Sequence, residues 1–511
     1  MLSAIWCFML VEIKNFRNKV NVGLDFNKFY HQKITAMKRI FDLLITKRIA
    51  IVATMLVVYT SCQKAIDKPS PLAEEVSTAA NQSQGHLQQT KTFSSEALLR
   101  WIDFQLNIYK NNVTLVGGPA GMRFIAYTGI AAYESVVPGM PSYQSLSGQL
   151  TGLPAMPETE PGTAYYWPQS LNAAMSYISK YLLPASDTTQ IANFEATLRS
   201  EFLSQGASAE LLTRSADFGR AVAAEIVAWA ARDKDAWPTG AFTTSTTFDV
   251  NNGKWIPTGA LSAVVLPYWK YTRKMVTNSS NGINTINPFT YSNMPGSGFY
   301  NMVQQIYNNT YNPFGYSADE RKLINTYYRD NPGYGSGHYM SIVRQVLARA
   351  GTALDISALV FAQSGISAMD ASIACWTLKY DQQNNYVVRP LTYIRSVILN
   401  DPAYATIMTT PNHPEWPSGH STLAGAIAEV LTQQFGSNFS FTNTTYEGFV
   451  MPGYPSGLGS RHYNSFDDMT QEIGDSRVYG QIHYPQSCVD GKAIGKKVAQ
   501  NVLSIVKFKK D

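Results

Sequence analysis

The chain has 511 residues, 45% of them hydrophobic, with 41 Lys and Arg set against 36 Asp and Glu for a formal net charge of +5. That length suffices for a large core or two packed bundles, and the four cysteines do not make a disulfide framework. Cys375 and Cys488 read as core cysteines or as one possible pair, and no internal repeat of fixed period is evident.

Met37-Lys38-Arg39 and Lys47-Arg48 precede an apolar run from Ile49 to Val58, and Thr60-Ser61-Cys62 follows it. Basic residues, a short apolar core and small residues before a cysteine form an export signal too short to span a membrane as a mature helix. The pattern resembles a bacterial lipoprotein signal, although Tyr59 stands at the usual aliphatic position. The resemblance implies cleavage before Cys62 and lipid on its sulfur. The exported chain would then meet the membrane, on its periplasmic or outer surface, through the anchor only. Residues 1–36 would be an upstream extension from a misassigned start; the competing reading is an N-terminal cytoplasmic segment. Losing residues 1–61 removes nine basic and three acidic residues, which takes the net charge from +5 to −1. No basic balance is left to suggest nucleic acid.

Residues 62–93, rich in Ser, Thr, Gln and Ala with Pro69 and Pro71, read as a flexible tether. From Ser94 helical periodicity begins, with Leu98, Leu99, Ile102, Leu106 and Tyr109, then Phe124, Ile125, Ile130, Ala131 and Tyr133. Further helices are expected over 169–183, 188–204 and 208–232. Residues 233–317 turn to Gly, Asn, Thr, Pro, Trp and Tyr without clear period, a long excursion suited to walling a pocket mouth. Helical patterns resume at 318–330, 339–350, 355–380, 390–399, 417–435, 467–482 and 490–507. The expected fold is all-α: two packed helical bundles with long irregular loops, an N-terminal one over 94–317 and a C-terminal one over 318–511.

The second bundle carries three pieces in order. Trp376-Thr377-Leu378-Lys379-Tyr380 precedes Arg389-Pro390. His413-Pro414-Glu415-Trp416-Pro417-Ser418-Gly419-His420 leads into the apolar run from Leu423. Ser476-Arg477 is followed by His483. A Pro and a Ser ahead of an apolar run mark a helix N-terminus, where free backbone N–H groups and the helix dipole favour an anion. Arg477 adds a bidentate oxyanion donor, and His420 and His483 add imidazoles. A tetrahedral oxyanion fits such a set.

Together these pieces resemble the vanadium-dependent haloperoxidase family, which shares its core with type 2 phosphatidic acid phosphatases and bacterial acid phosphatases. The resemblance covers about Asp370 to Gly495 and implies a two-bundle fold and vanadate as cofactor. Lys379, Arg389 and Arg477 would neutralise the oxyanion, and Ser418 and the Gly419 amide would donate to it. His483 would hold the vanadium and His420 would be the acid–base partner. The implied reaction is peroxide-driven halide oxidation. His413 stands where bromide-oxidising members carry a His, which points to bromide or iodide; its plainer reading is a loop histidine. Trp376 is either core or pocket lining. One departure is the spacing: nine residues separate Lys379 from Arg389, more than is usual in the family. Either the connection carries an insertion, or Lys379 is not the family's lysine.

Two other readings stand beside this one. An acid phosphatase of the same superfamily would form a phosphohistidine at His483 on a phosphate ester. A non-catalytic, lipid-anchored glycan-binding protein would use the aromatic residues of 233–317 as stacking platforms. Ser336-Gly337-His338 repeats a tripeptide of the motif without its Pro, and Pro455-Ser456-Gly457 with Ser460-Arg461-His462 reads as a surface loop.

Overall fold

The computed structural model of the chain describes residues 88–110, 118–244, 246–330, 333–451 and 453–510, among which thirteen α-helices and one two-stranded ribbon form. The expected signal, Cys62 and the tether as far as residue 87 lie outside the described residues. The first bundle holds α1 (Glu96–Tyr109), α2 (Ala120–Glu134), α3 (Trp167–Leu182), α4 (Thr188–Ser204) and α5 (Ala209–Ala230). Pro168 opens α3, and the Ser208 side chain caps α5 by accepting from the Leu211 amide at 3.2 Å. The tether does not extend to residue 93. Thr90 is buried and donates to the Val136 carbonyl, and the Trp167 indole donates to the Gln88 carbonyl, so these polar groups are satisfied by the bundle.

Further along come α6 (Gly298–Tyr307), α7 (Ala318–Tyr327), α8 (Gly337–Ala350), α9 (Leu354–Lys379), α10 (Pro390–Tyr393), α11 (Gly419–Phe435), α12 (Phe466–Tyr479) and α13 (Pro485–Ile505). Strands β1 (Phe441–Asn443) and β2 (Arg461–Tyr463) pair antiparallel. Helix α9 is apolar all round, long enough to cross a membrane, and 94% buried over its most apolar window, which marks it as a core helix. It packs on α2 of the first bundle and on α11 and α13 of the second, so the expected boundary at residue 317 is not a break in packing.

Close approach of helices is achieved by omitting side chains. A Cβ at Gly365 of α9 would lie 2.6 Å from the Ile125 carbonyl of α2, and one at Gly491 of α13 would lie 2.6 Å from the Ser418 carbonyl. Both distances are too short for carbon, so these backbones sit closer than any other residue permits.

The excursion 233–317 is laced over α9 and the loops beyond it. Asp370 of α9 accepts from the amides of Met275 (2.6 Å) and Val276 (2.9 Å), and Trp269 donates to Ser372 at 3.0 Å. Burial pushes the Asp370 carboxyl up to about 6. Trp255 N donates to Tyr386 O, Val388 N to Gly253 O, and Val265 N to Asn412 O, tying the excursion to the segments that carry the motifs. The excursion also contains α6, capped by Ser297, a short helix hidden among turn residues.

Among the helix boundaries that differ from expectation, two bear on the motif residues. Helix α12 stops at Tyr479 because Gly480 packs against Met408, leaving no room for a side chain, and Gln481 turns left-handed at φ 61°. Helix α13 starts at Pro485 rather than 490, so His483 lies in a tight turn between two helices.

Candidate active site

Four chain segments deliver the motif residues: the C-terminus of α9, the N-terminus of α10, the N-terminus of α11, and the turn between α12 and α13. Lys379, the last residue of α9, is fully buried and donates to the carbonyls of Pro414 (3.0 Å) and Glu415 (2.9 Å). Arg389, also fully buried, caps α10 and donates to the carbonyls of His413 (2.8 Å), Ile482 (2.7 Å) and Pro414 (3.3 Å). Both cations therefore meet on the Pro414 carbonyl. The long spacing between them is absorbed in a turn where Asp381 accepts from Gln383 and Asn385 N donates back to Asp381 O.

His413 is buried with Nδ1 at 2.9 Å from Arg389 Nη2, its ring 5.2 Å from that of Trp376. The Trp376 indole donates to Val265 O in the excursion, which places that segment in the wall of the site. Ser418 caps α11, accepting from the Ser421 amide at 3.4 Å and its hydroxyl at 3.0 Å. A Cβ at Gly419 would come within 3.3 Å of the Trp376 ring, so a side chain there would crowd the indole. His483 is nearly fully buried, with Nε2 3.4 Å from Arg389 Nη1 and Nδ1 2.7 Å from Glu415 Oε1. His420 is 23% exposed at its side chain, with Nε2 3.3 Å from Asp330 Oδ1. Tyr339 fixes its backbone by donating to the His420 carbonyl at 2.9 Å.

Arg477 carries the clearest signal of an absent partner. It is 1% exposed, Nη2 reaches only the Met408 sulfur at 3.1 Å, and Nε has no partner among the described residues. None of Lys379, Arg389 and Arg477 forms an ion pair with a carboxylate among the described residues. Three buried cations without a paired anion are costly, and an anionic ligand removes that cost. The electrostatics agree. Burial lowers Lys379 to about 7 and Arg389 to about 10, and it lowers Arg477 as well.

His483 is depressed by burial and then by Arg389, Lys379, His413 and Arg477; His420 is depressed by burial and by Arg477. His413 is held down by burial, Arg389 and Lys379. All three imidazoles are therefore neutral at neutral pH, and the rings of 420 and 483 share the field of the same cations.

Sequence reasoning missed Asp330 and Glu415. Burial opposes ionisation of Asp330, but His420 and Arg477 hold its carboxyl below the usual range. Burial raises the Glu415 carboxyl to about 7. Glu415 was visible as the one acid inside the His413–His420 motif, whereas Asp330 lies in an irregular segment with no local signal. His338, in the repeated tripeptide, lines a cavity beside His420 together with Tyr328, Arg329 and Tyr339. It is a satisfied core histidine, 2.8 Å from Asn443 and stacked on Tyr328, and burial lowers it to about 3. Arg461, expected in a surface loop, instead lies on β2 with a side chain only 12% exposed, and it pairs with Glu320 and Glu472.

Asp330 raises the proton affinity of His420, so Asp330→Asn should move the His420 titration to lower pH. An NMR titration of the protein alone checks this; an unchanged or higher midpoint contradicts it.

Residues 359–509 match the family model of the VCPO second helical-bundle domain. No curated protein matches the chain. Among solved structures, that of the first bacterial vanadium-dependent iodoperoxidase is similar, with 27% identity, a TM-score of 0.69, and coverage of 84% of this chain and 100% of that one. The apo-type bacterial vanadium-dependent chloroperoxidase is 18% identical, with a TM-score of 0.57 over 76% of this chain and 93% of that one. A holo-type bacterial vanadium-dependent chloroperoxidase is 17% identical, with a TM-score of 0.55 over 87% of this chain and 98% of that one. These two bear on the fold alone. Residues 359–509 thus match the second helical bundle of a vanadium-dependent haloperoxidase, and the chain as a whole is similar in fold to the bacterial vanadium-dependent haloperoxidases of known structure.

Proposed function

We propose that the chain is a vanadate-dependent haloperoxidase that oxidises halide, bromide or iodide, with hydrogen peroxide. The observation that carries this reading is the Arg477 guanidinium, buried with no partner for Nε among the described residues, together with Lys379 and Arg389, which pair with no carboxylate among those residues. The donor set fits a tetrahedral oxyanion: Lys379 has three N–H groups and spends two on carbonyls, Arg477 has unspent N–H groups, and α11 points its N-terminus from Ser418 and Gly419. Lys379, Arg389, Arg477, Ser418 and Gly419 would hold the oxygens, and the His483 imidazole would hold the metal. When bound, vanadate supplies a Lewis acid that activates peroxide toward halide.

His420 is the residue that moves protons. With Nε2 engaged by Asp330, Nδ1 of the neutral ring is the nitrogen that takes a proton from incoming peroxide. His413, held between Arg389 and Trp376, sits within the donor cluster, and the halide preference is assigned to it. Export with lipid on Cys62 is part of the same reading and rests on the sequence pattern. Of the aromatic residues that the glycan-binding alternative would use, Trp255 and Trp269 are fully buried, whereas Tyr271 and Phe314 stay exposed.

Halide oxidation and hydrolysis of a chromogenic phosphate ester, each with and without orthovanadate, separate the oxidase from the phosphatase. Orthovanadate is expected to switch on halide oxidation. If it instead inhibits ester hydrolysis and no halide is oxidised, the phosphatase reading replaces this one.

A further inference from the structure

Glu415 stands inside the His413–His420 motif, and its side chain reaches Ser487 at the start of α13. It is fully buried and fixed at its backbone, where its amide donates to Val387 O at 3.2 Å and its carbonyl accepts from Lys379 at 2.9 Å. Its side chain reaches the turn after α12. Oε1 lies 2.7 Å from His483 Nδ1 and accepts the Tyr484 amide at 3.0 Å, while Oε2 accepts the Ser487 hydroxyl at 2.6 Å. Both oxygens are thus engaged by donors.

Arg389 Nη1 can only donate and lies against Nε2, while Oε1 already accepts an amide, so the neutral imidazole carries its proton on Nδ1 and its lone pair on Nε2. That nitrogen lies on the Arg389 side, 3.4 Å from Nη1. We propose that Glu415 is a positioning residue: it locks His483 in the Nδ1–H form and aims the Nε2 lone pair into the cation cluster. His483 is thereby a ligand or nucleophile rather than a hydrogen-bond donor. What the lone pair meets rests on the oxyanion reading above; the locked tautomer does not.

The geometry also explains why one loop supplies both ends of the site. The segment whose Ser418 and Gly419 open α11 also carries the group that orients a ring 68 positions later. Ser487 holds the second carboxylate oxygen, so the Glu415 side chain cannot rotate away without breaking that bond and the Tyr484 bond together.

The test has two readouts. Long-range 1H–15N spectra of histidine-labelled protein, without ligand and with His483→Ala for assignment, should place the His483 proton on Nδ1. Glu415→Ala should lose that preference and weaken binding of vanadate alone by about 10–100-fold. Glu415→Gln keeps an acceptor oxygen, so it should keep the tautomer and recover most of the affinity, an outcome that a purely electrostatic role would not give. A proton on Nε2 in the wild type, or an unchanged tautomer in Glu415→Ala, overturns the proposal. Should Glu415→Ala fail to fold, the wild-type and Glu415→Gln spectra still decide it. Wild-type protein that shows the locked tautomer but binds no vanadate would sink the oxyanion reading and leave this inference standing.

Discussion

His483→Ala is expected to bind no vanadate, whereas His420→Ala should keep most of the binding and lose about 10²–10⁴-fold in turnover. The two rings share the same cations but do different work. His483 is buried at the turn before α13, with one nitrogen spent on Glu415 and the other facing Arg389, so its removal takes away the only proposed bond to the metal. His420 heads α11, is partly exposed, and its Nε2 contacts Asp330, so its removal leaves Lys379, Arg389 and Arg477 in place for the anion. Dialysis against vanadate followed by a halide assay measures both quantities. Equal losses of binding in the two variants would mean that the assigned roles are wrong.

Gly495→Ala should cost about 1–3 kcal/mol in chemical unfolding. A Cβ at this position of α13 would overlap the Thr422 carbonyl of α11 and lie 2.9 Å from the Ala426 amide. Backbone atoms cannot rotate aside as a side chain can, so the helices must part. Because Ser418 begins α11 and His483 lies just before α13, separation also loosens the site, and vanadate affinity should fall with stability. Gly298→Ala provides the control. A Cβ there would meet nothing within 4 Å, so this substitution should change stability by less than about 0.5 kcal/mol. Equal stability of the two variants would show that helix proximity is not what Gly495 provides.

How much of this was legible in the sequence depends on the range of the interaction. Helix α4 appears over the residues its periodicity predicts, and α11 begins where Pro417 and Ser418 place it, because caps and apolar stripes are local. The end of α12 was not legible, since it depends on Met408 packing against Gly480 from a distant loop. The start of α13 had a local signal in Pro485, whose fixed φ suits the first turn of a helix. The site residues with strong charge and fixed order, Lys379, Arg389, Arg477, Ser418, Gly419, His413, His420 and His483, are brought together. Asp330 and the role of Glu415 were out of reach, because each acts on a histidine far along the chain and only the fold makes them neighbours.

Elemental analysis of purified wild-type chain, loaded with orthovanadate and desalted, puts the central claim to its plainest test. Stoichiometric vanadium is predicted, displaced competitively by excess inorganic phosphate, because the same buried cations would hold either anion. Protein that emerges without vanadium, or that retains it undiminished after His483→Ala, contradicts the account.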